Sequence, residues 1–225
     1  MGKSTERPEA FMVHDCALAA LATGKRAQSL RELRELLRDI HPGCIYYHFW
    51  GVLLRPRFDN PEYLNDFAEW ARHGLHDHIM AERLAVINPA EFSNMEDLRA
   101  ELIEEIEQRL DETDSVPWSK PDQEFHFIRT HIVVFDTHRR IEDPKDLAII
   151  VPQMSQGSIF YHFIDARRRT PDAIDDFQAW IKPFGEEYAD LIKQIRDIDP
   201  YFVTLRDLRA QLADVMKQYF RGKKK

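Results

Sequence analysis

The chain contains two diverged versions of one pattern, and few folds can accommodate that. Gly43-Cys44-Ile45-Tyr46-Tyr47-His48-Phe49 returns as Gly157-Ser158-Ile159-Phe160-Tyr161-His162-Phe163, an offset of 114 positions. Asp66-Phe67-x-x-Trp70 returns as Asp176-Phe177-x-x-Trp180, and Asp97-Leu98-Arg99-Ala100 as Asp207-Leu208-Arg209-Ala210, both at an offset of 110. Because the blocks keep their order and lose only a few loop residues, the chain reads as two tandem modules of roughly 100 residues, each long enough to bury a core. The expected division is a disordered N-terminus at 1–10, a first copy at 11–110, a linker at 111–124, a second copy at 125–220 and a basic tail at 221–225.

The bulk properties exclude several classes. With 44% hydrophobic and 31% charged residues the composition is that of a globular rather than a disordered chain. A net charge of −8 opposes general affinity for nucleic acid, which rests on Lys and Arg displacing counterions from phosphates. No apolar run approaches the roughly 20 residues of a membrane span, and residues 1–6 lack the apolar core of a signal peptide, so a cytoplasmic protein is expected. Cys16 and Cys44 face Thr130 and Ser158 at the matching positions, which points to a need for small side chains rather than a disulfide. Neither a zinc-ligand spacing, a Gly-x-Ser-x-Gly elbow nor a glycine-rich phosphate loop is present, so no catalytic residue, metal or cofactor is expected.

Each copy is expected to open with a strand, Phe11 to Leu21 or Phe125 to Phe135, ending at a polar turn, Thr23-Gly24-Lys25-Arg26 or Thr137-His138-Arg139-Arg140. A first helix follows the capping box Ser29-Leu30-Arg31-Glu32, or Asp143-Pro144. The second helix is the Tyr-His-Phe segment. A third is expected to start at Asn60-Pro61 and Thr170-Pro171, a fourth over 76–87 and 186–198, and a fifth over 94–110 and 205–220 with caps Ser93 and Thr204. The fold class is therefore mainly α with minor β, two helical modules each with one N-terminal strand. A lone strand leaves its backbone unpaired, so the two strands are expected to pair with each other across a pseudo-twofold axis. Trp118, in the linker, is expected to pack the linker onto a module.

One constellation recurs. Helical spacing puts His48 one turn from Cys44 and Val52, with Arg55 two turns further on the same face; His162 and Arg169 repeat this. Asp66 and Asp176 would lie about five residues into the third helix, a poor place for Asp, each sharing a face with Trp70 or Trp180. In one reading, His48, Arg55, Asp66 and Trp70, with His162, Arg169, Asp176 and Trp180, line two equivalent sites for an anionic or polar ligand. In the other, preferred because duplication retains core residues as readily as functional ones, they form a buried polar network fixing the crossing of helices. The cluster His73, His76 and His78 has no counterpart in the second copy and reads as a solvated helix junction. The crowded aromatics Tyr46, Tyr47, Phe49 and Trp50 read as core packing rather than base stacking.

Taken together, the Ser/Cys-Ile-Tyr/Phe-Tyr-His-Phe block, the Asp-Phe-x-x-Trp block, the Ile-Asn/Asp-Pro stops and the aromatic opening strand with its Thr-Gly turn resemble a family of bacterial and archaeal proteins known as domain of unknown function 5752. The resemblance spans about Phe11 to Phe220 and implies a duplicated, soluble, mainly helical protein with no assigned activity. Thr137-His138 departs from the Thr-Gly pattern. The expectation is a non-enzymatic binding or regulatory module, acting through protein contacts or a small anionic or polar ligand between the copies, and not through nucleic acid or membrane. The alternative is a metal-dependent or polar-ligand enzyme using the repeated His, Asp and Arg residues.

Overall fold

The computed structural model describes residues 8–55, 62–112, 122–170 and 172–222. It is mostly helical, with one two-stranded antiparallel sheet in which β1 (Phe11–Ala27) pairs with β2 (Phe125–Ile141). The expected pairing of the two strands is therefore present. Both run six residues past the expected strand ends, Leu21 and Phe135, and so continue through the expected turns. At Gly24 and His138 the backbone takes a single left-handed conformation, φ +74° and +59°, and the strand continues through it. The Thr before each spans to the neighbouring strand: Thr23 Oγ1 donates to Phe127 O at 2.7 Å, and Thr137 Oγ1 to Val13 O at 2.5 Å. Such a residue kinks a strand without ending it, which is why turn chemistry misplaced the boundary.

The chain forms two compact units, one of Leu18–Ile132 and one of Met1–Ala17 with Val133–Lys225. The division falls inside both strands, whereas the boundaries expected from sequence, 11–110 and 125–220, gave each strand whole to one copy. In the Leu18–Ile132 unit the helices are α1 (Leu30–Asp39), α2 (Pro42–Leu54), α3 (Asp66–His73), α4 (His78–Ala85) and α5 (Met95–Glu112). Its core joins Leu33 and Leu37 of α1, Phe49 of α2, Phe67 of α3 and Leu102 of α5 to Phe127 of β2, all almost fully buried. Phe127 comes from far along the sequence.

The other unit holds α6 (Leu147–Ile150), α7 (Gln156–Ile159), α8 (Ala166–Arg169), α9 (Asp176–Ile181), α10 (Ala189–Arg196) and α11 (Leu205–Gly222). Between α7 and α8, Phe160–Asp165 winds as a π-helix, so the counterpart of α2 is one helical run with a wide turn. The first helix of this unit is broken into short pieces around Val151-Pro152, where proline cannot continue the ladder. Phe11 and Val13 of β1 are buried here.

Several caps differ from expectation. Ser29 caps α1 as anticipated, but Glu32 reaches back to Gln28 N at 2.7 Å rather than to its own cap. Asn94, not Ser93, caps α5, its Oδ1 accepting from Glu96 N and Asp97 N at 2.9 Å. The third helices start later than proposed, at Asp66 after the cap Asn65 and at Asp176 after the cap Asp175. The two aspartates are thus first-turn residues, where a carboxylate is favoured by the helix dipole, and the argument that they are misfits does not hold. The expected starts at Asn60-Pro61 and Pro171, Trp118 and linker residues 113–121, N-terminal residues 1–7 and tail residues 223–225 lie outside the described residues. No helix among the described residues is long and apolar enough to cross a membrane.

Candidate functional site

In the Leu18–Ile132 unit, α2 presents His48 and ends at Arg55, α3 presents Asp66 and Trp70, and the first half of β2 lies across them. His48 is 2% exposed. Its Nδ1 is 2.7 Å from Asp66 Oδ2, and its Nε2 is 3.1 Å from Ile128 N. A backbone N–H can only donate, so Nε2 is the acceptor and the proton sits on Nδ1, where it is given to the carboxylate. Burial holds the His48 pKa below its usual value, against the pull of Asp66, so the ring is neutral. Arg55 completes the cluster with two bonds to Asp66, Nη1 to Oδ1 at 2.8 Å and Nη2 to Oδ2 at 2.7 Å, and lies over the Tyr47 ring at 4.7 Å. Burial opposes the Asp66 charge, but the bonds from His48 and Arg55 outweigh it and hold the carboxyl below its usual range. Trp70 Nε1 donates to Gln123 O at 2.6 Å.

The second unit repeats the histidine and tryptophan bonds. His14 N donates to His162 Nε2 at 2.9 Å, His162 Nδ1 is 2.7 Å from Asp176 Oδ2, and Trp180 Nε1 donates to Glu9 O at 2.7 Å. Phe11 stacks beside Phe177 and His162, as Phe125 does beside Phe67 and His48. The arginines differ. Arg169 gives Nε to Asp165 and Nη2 to Asp176, at 2.9 and 3.0 Å, whereas the position matching Asp165 is Gly51, and Arg55 Nε is left buried without a partner among the described residues.

All eight residues picked out from sequence thus gather into two sets of four. Each set lines one cavity, of about 530 Å3 in the Leu18–Ile132 unit and about 560 Å3 in the other. Sequence reasoning missed the strand residues. Phe125 and Ile128, and Phe11 and His14, join the helices of the other stretch of sequence. The signal was the aromatic alternation Phe125-x-Phe127, which fits a strand buried on one face. The cavities have diverged at their walls: Glu69, His73, Glu124 and His126 line the first, where Ala179, Pro183, Ala10 and Met12 stand in the second.

Both nitrogens of His48 and His162 are committed, which leaves neither ring free as a proton acceptor or metal ligand. His73, His76 and His78 turn to separate partners, Glu62 at 3.3 Å, Asp122 at 2.6 Å and Arg72, and no group of three metal-ligating side chains converges among the described residues. The repeated Asp-Leu-Arg-Ala block also has a structural use: Arg99 donates to Leu37 O and Ile40 O, and Arg209 to Met154 O at 2.7 Å, tying the fifth helix to the carbonyls that precede the second.

The solved structure of OrfY from Thermoproteus tenax is similar over 95% of this chain and 97% of its own, with 27% identity and a TM-score of 0.81. No curated protein matches. The family of unknown function DUF5752 matches residues 8–217, and the chain belongs to that family.

Proposed function

We propose that the protein is a tandemly duplicated, non-enzymatic binding module with one ligand cavity in each unit. The observation that carries this reading is the recurrence of a His-Arg-Asp-Trp set lining a cavity of similar volume in both units. The ligand of the Leu18–Ile132 cavity is polar rather than anionic. Its one guanidinium among the described residues, Arg55, is already met by Asp66, and Glu69 and Glu124, the latter paired with Arg26 at 3.0 Å, add two more carboxylates to the wall. The open Nε of Arg55 would suit a neutral acceptor such as a hydroxyl or carbonyl. The other cavity, with Ala179, Pro183 and Met12, suits a more apolar ligand. The metal-dependent or enzymatic alternative is disfavoured by the filled coordination of both histidines. A protein partner is supported by the run Val133-Val134-Phe135, whose side chains are exposed on β2. The buried free thiols of Cys16 and Cys44 suit a reducing, cytoplasmic setting.

The test fills the cavities without touching the His-Asp pairs. Purified protein, wild type and the double variant Glu69→Phe/Ala179→Phe, is heat-extracted for mass spectrometry and screened by thermal shift against a panel of small neutral polar metabolites. The expected result is at least one compound that raises the melting temperature of wild type and has no effect on the variant. Compounds that act equally on both, or none that act at all while the variant stays folded, would reject the cavities as ligand sites.

A further inference from the structure

The cavity of the Leu18–Ile132 unit keeps the histidine, arginine, aspartate and tryptophan of its counterpart and differs from it at four wall positions on two elements. On α3, Asp66, Glu69, Trp70 and His73 follow one another at the three- and four-residue steps of a single helix face. Glu124 and His126, spaced by two at the start of β2, line the same cavity. At the places of Glu69, His73, Glu124 and His126 the other unit has Ala179, Pro183, Ala10 and Met12. Two carboxylates and two imidazoles are thus added around a set of residues that both cavities share.

The chemistry of that wall narrows the ligand. A carboxylate only accepts hydrogen bonds, a guanidinium only donates them, and an imidazole does either. Asp66, Glu69 and Glu124 share the cavity with Arg55, His73 and His126, so acceptors and donors stand together. An anion would be repelled by the three carboxylates, and a bare ammonium would have nothing to offer the donors. A hydroxyl donates and accepts at one atom, so a ligand that carries several of them meets both kinds of wall group. Glu124 is held in place by Arg26, which gives Nη1 to Oε2 at 3.0 Å, and by the side-chain amide of Gln28. Each of its oxygens retains a second lone pair for a further bond. The apolar part of the lining matches as well. Trp70 Nε1 is spent on Gln123 O, so the indole, like the ring of Phe125, has only carbon surface to offer. The carbon-bound hydrogens of a sugar ring pack on such surface while its hydroxyls reach the polar wall.

We propose that the Leu18–Ile132 cavity binds a small polyhydroxylated ligand, a saccharide or cyclic polyol, and that Glu69, His73, Glu124 and His126 are the residues that select it. The proposal rests on the reading of the cavities as ligand sites. The volume of about 530 Å3 lies within the roughly 300–1,000 Å3 of small-molecule sites. The other cavity, with alanine, proline and methionine at the four positions, lacks the groups that would hold such a ligand.

The experiment is a titration of the full chain with glucose, galactose, mannose, myo-inositol, maltose and lactose, followed by tryptophan fluorescence because Trp70 lines the cavity. Fluorescence is preferred to melting temperature, since sugars at high concentration stabilise proteins simply by being excluded from their surface. At least one compound should give a saturable change at millimolar concentration or below. The double variant Glu69→Ala/Glu124→Ala should weaken that binding at least about tenfold, through the loss of hydrogen bonds to two charged groups. Alanine stands at both positions in the other unit, and circular dichroism shows whether the variant is folded. Glu69→Gln and His126→Met, tested singly, should each weaken binding too and serve in its place if it unfolds. The methyl glycoside of the bound sugar separates two sources: equal binding means that the end of a longer glycan fits, and loss means a free sugar. No saturable response to any of these compounds, or unchanged affinity in the folded variants, overturns the proposal. The two readings fail separately. A compound without hydroxyls whose binding is blocked by Glu69→Phe/Ala179→Phe keeps the cavities as ligand sites and sinks the saccharide, whereas the absence of any ligand sinks both.

Discussion

Replacing Asp175 with Asn should stabilise the protein at neutral and alkaline pH and leave it unchanged in acid. Asp175 caps α9 from a fully buried position, accepting from Gln178 N at 2.9 Å and from the Gln178 side-chain amide. Burial pushes its pKa up to about 6, against the opposing pull of those bonds and of Arg167. An unfolded Asp titrates near 4 (about 3.9), so the folded state holds this proton more tightly by roughly 2 units. The sign follows directly. Below about pH 4 the group is protonated in both states and costs nothing. As pH rises from 4 through 6 the unfolded chain loses its proton first, and stability falls until both states are ionised. At about 1.4 kcal/mol per unit the loss above pH 6 is roughly 3 kcal/mol, which the substitution should largely recover. The other unit provides the template, since Asn65 stands at the matching position, accepting from Ala68 N at 2.8 Å and donating to Leu84 O at 2.9 Å. Urea unfolding of both proteins at pH 4.5, 6 and 8 gives the difference in free energy at each pH. A gain that grows from about 1 kcal/mol at pH 4.5 to about 2–3 kcal/mol at pH 8 agrees with the reasoning. A variant that is less stable at pH 8, or a difference independent of pH, refutes it.

The His48→Ala, Asp66→Ala cycle should show losses of about 2–4 kcal/mol for each single variant with strong coupling, because each leaves a buried polar partner unmet, Ile128 N–H included. Near-additive losses in urea unfolding would contradict the shared network. Wild-type stability should also fall as pH drops below about 6.5, where the unfolded histidines gain a proton that buried His48 and His162 resist; a pH titration lacking this acid slope in His48→Ala/His162→Ala locates the effect. Gly157→Ala should be costly, by roughly 2 kcal/mol or more, since its Cβ would meet Cys16 O at 2.4 Å as well as Asp15. Gly43→Ala meets only side-chain atoms at 3.0 Å or more and should cost far less, a contrast that thermal melts of the pair would read.

Much of the protein was legible from local signals. Ser29 and Thr204 mark helix starts where they were expected, because a side-chain cap acts within three residues of itself. The two strands pair because an isolated strand cannot satisfy its own backbone. The eight His, Arg, Asp and Trp positions were found because a repeat shows which residues were kept. What the sequence left undecided was what they were kept against. His48 and Asp66 could have served a ligand or a backbone, and that depended on Ile128, eighty residues away, placing its N–H on the imidazole. Likewise, no periodicity could reveal that Phe125 stacks on Phe67, their ring centroids 5.1 Å apart, since helical and strand patterns say which face of an element is buried and never which neighbour buries it. Glu69 and Glu124 read from sequence as two more surface charges. Only the fold brings them to one cavity, because proximity across the chain comes from tertiary packing.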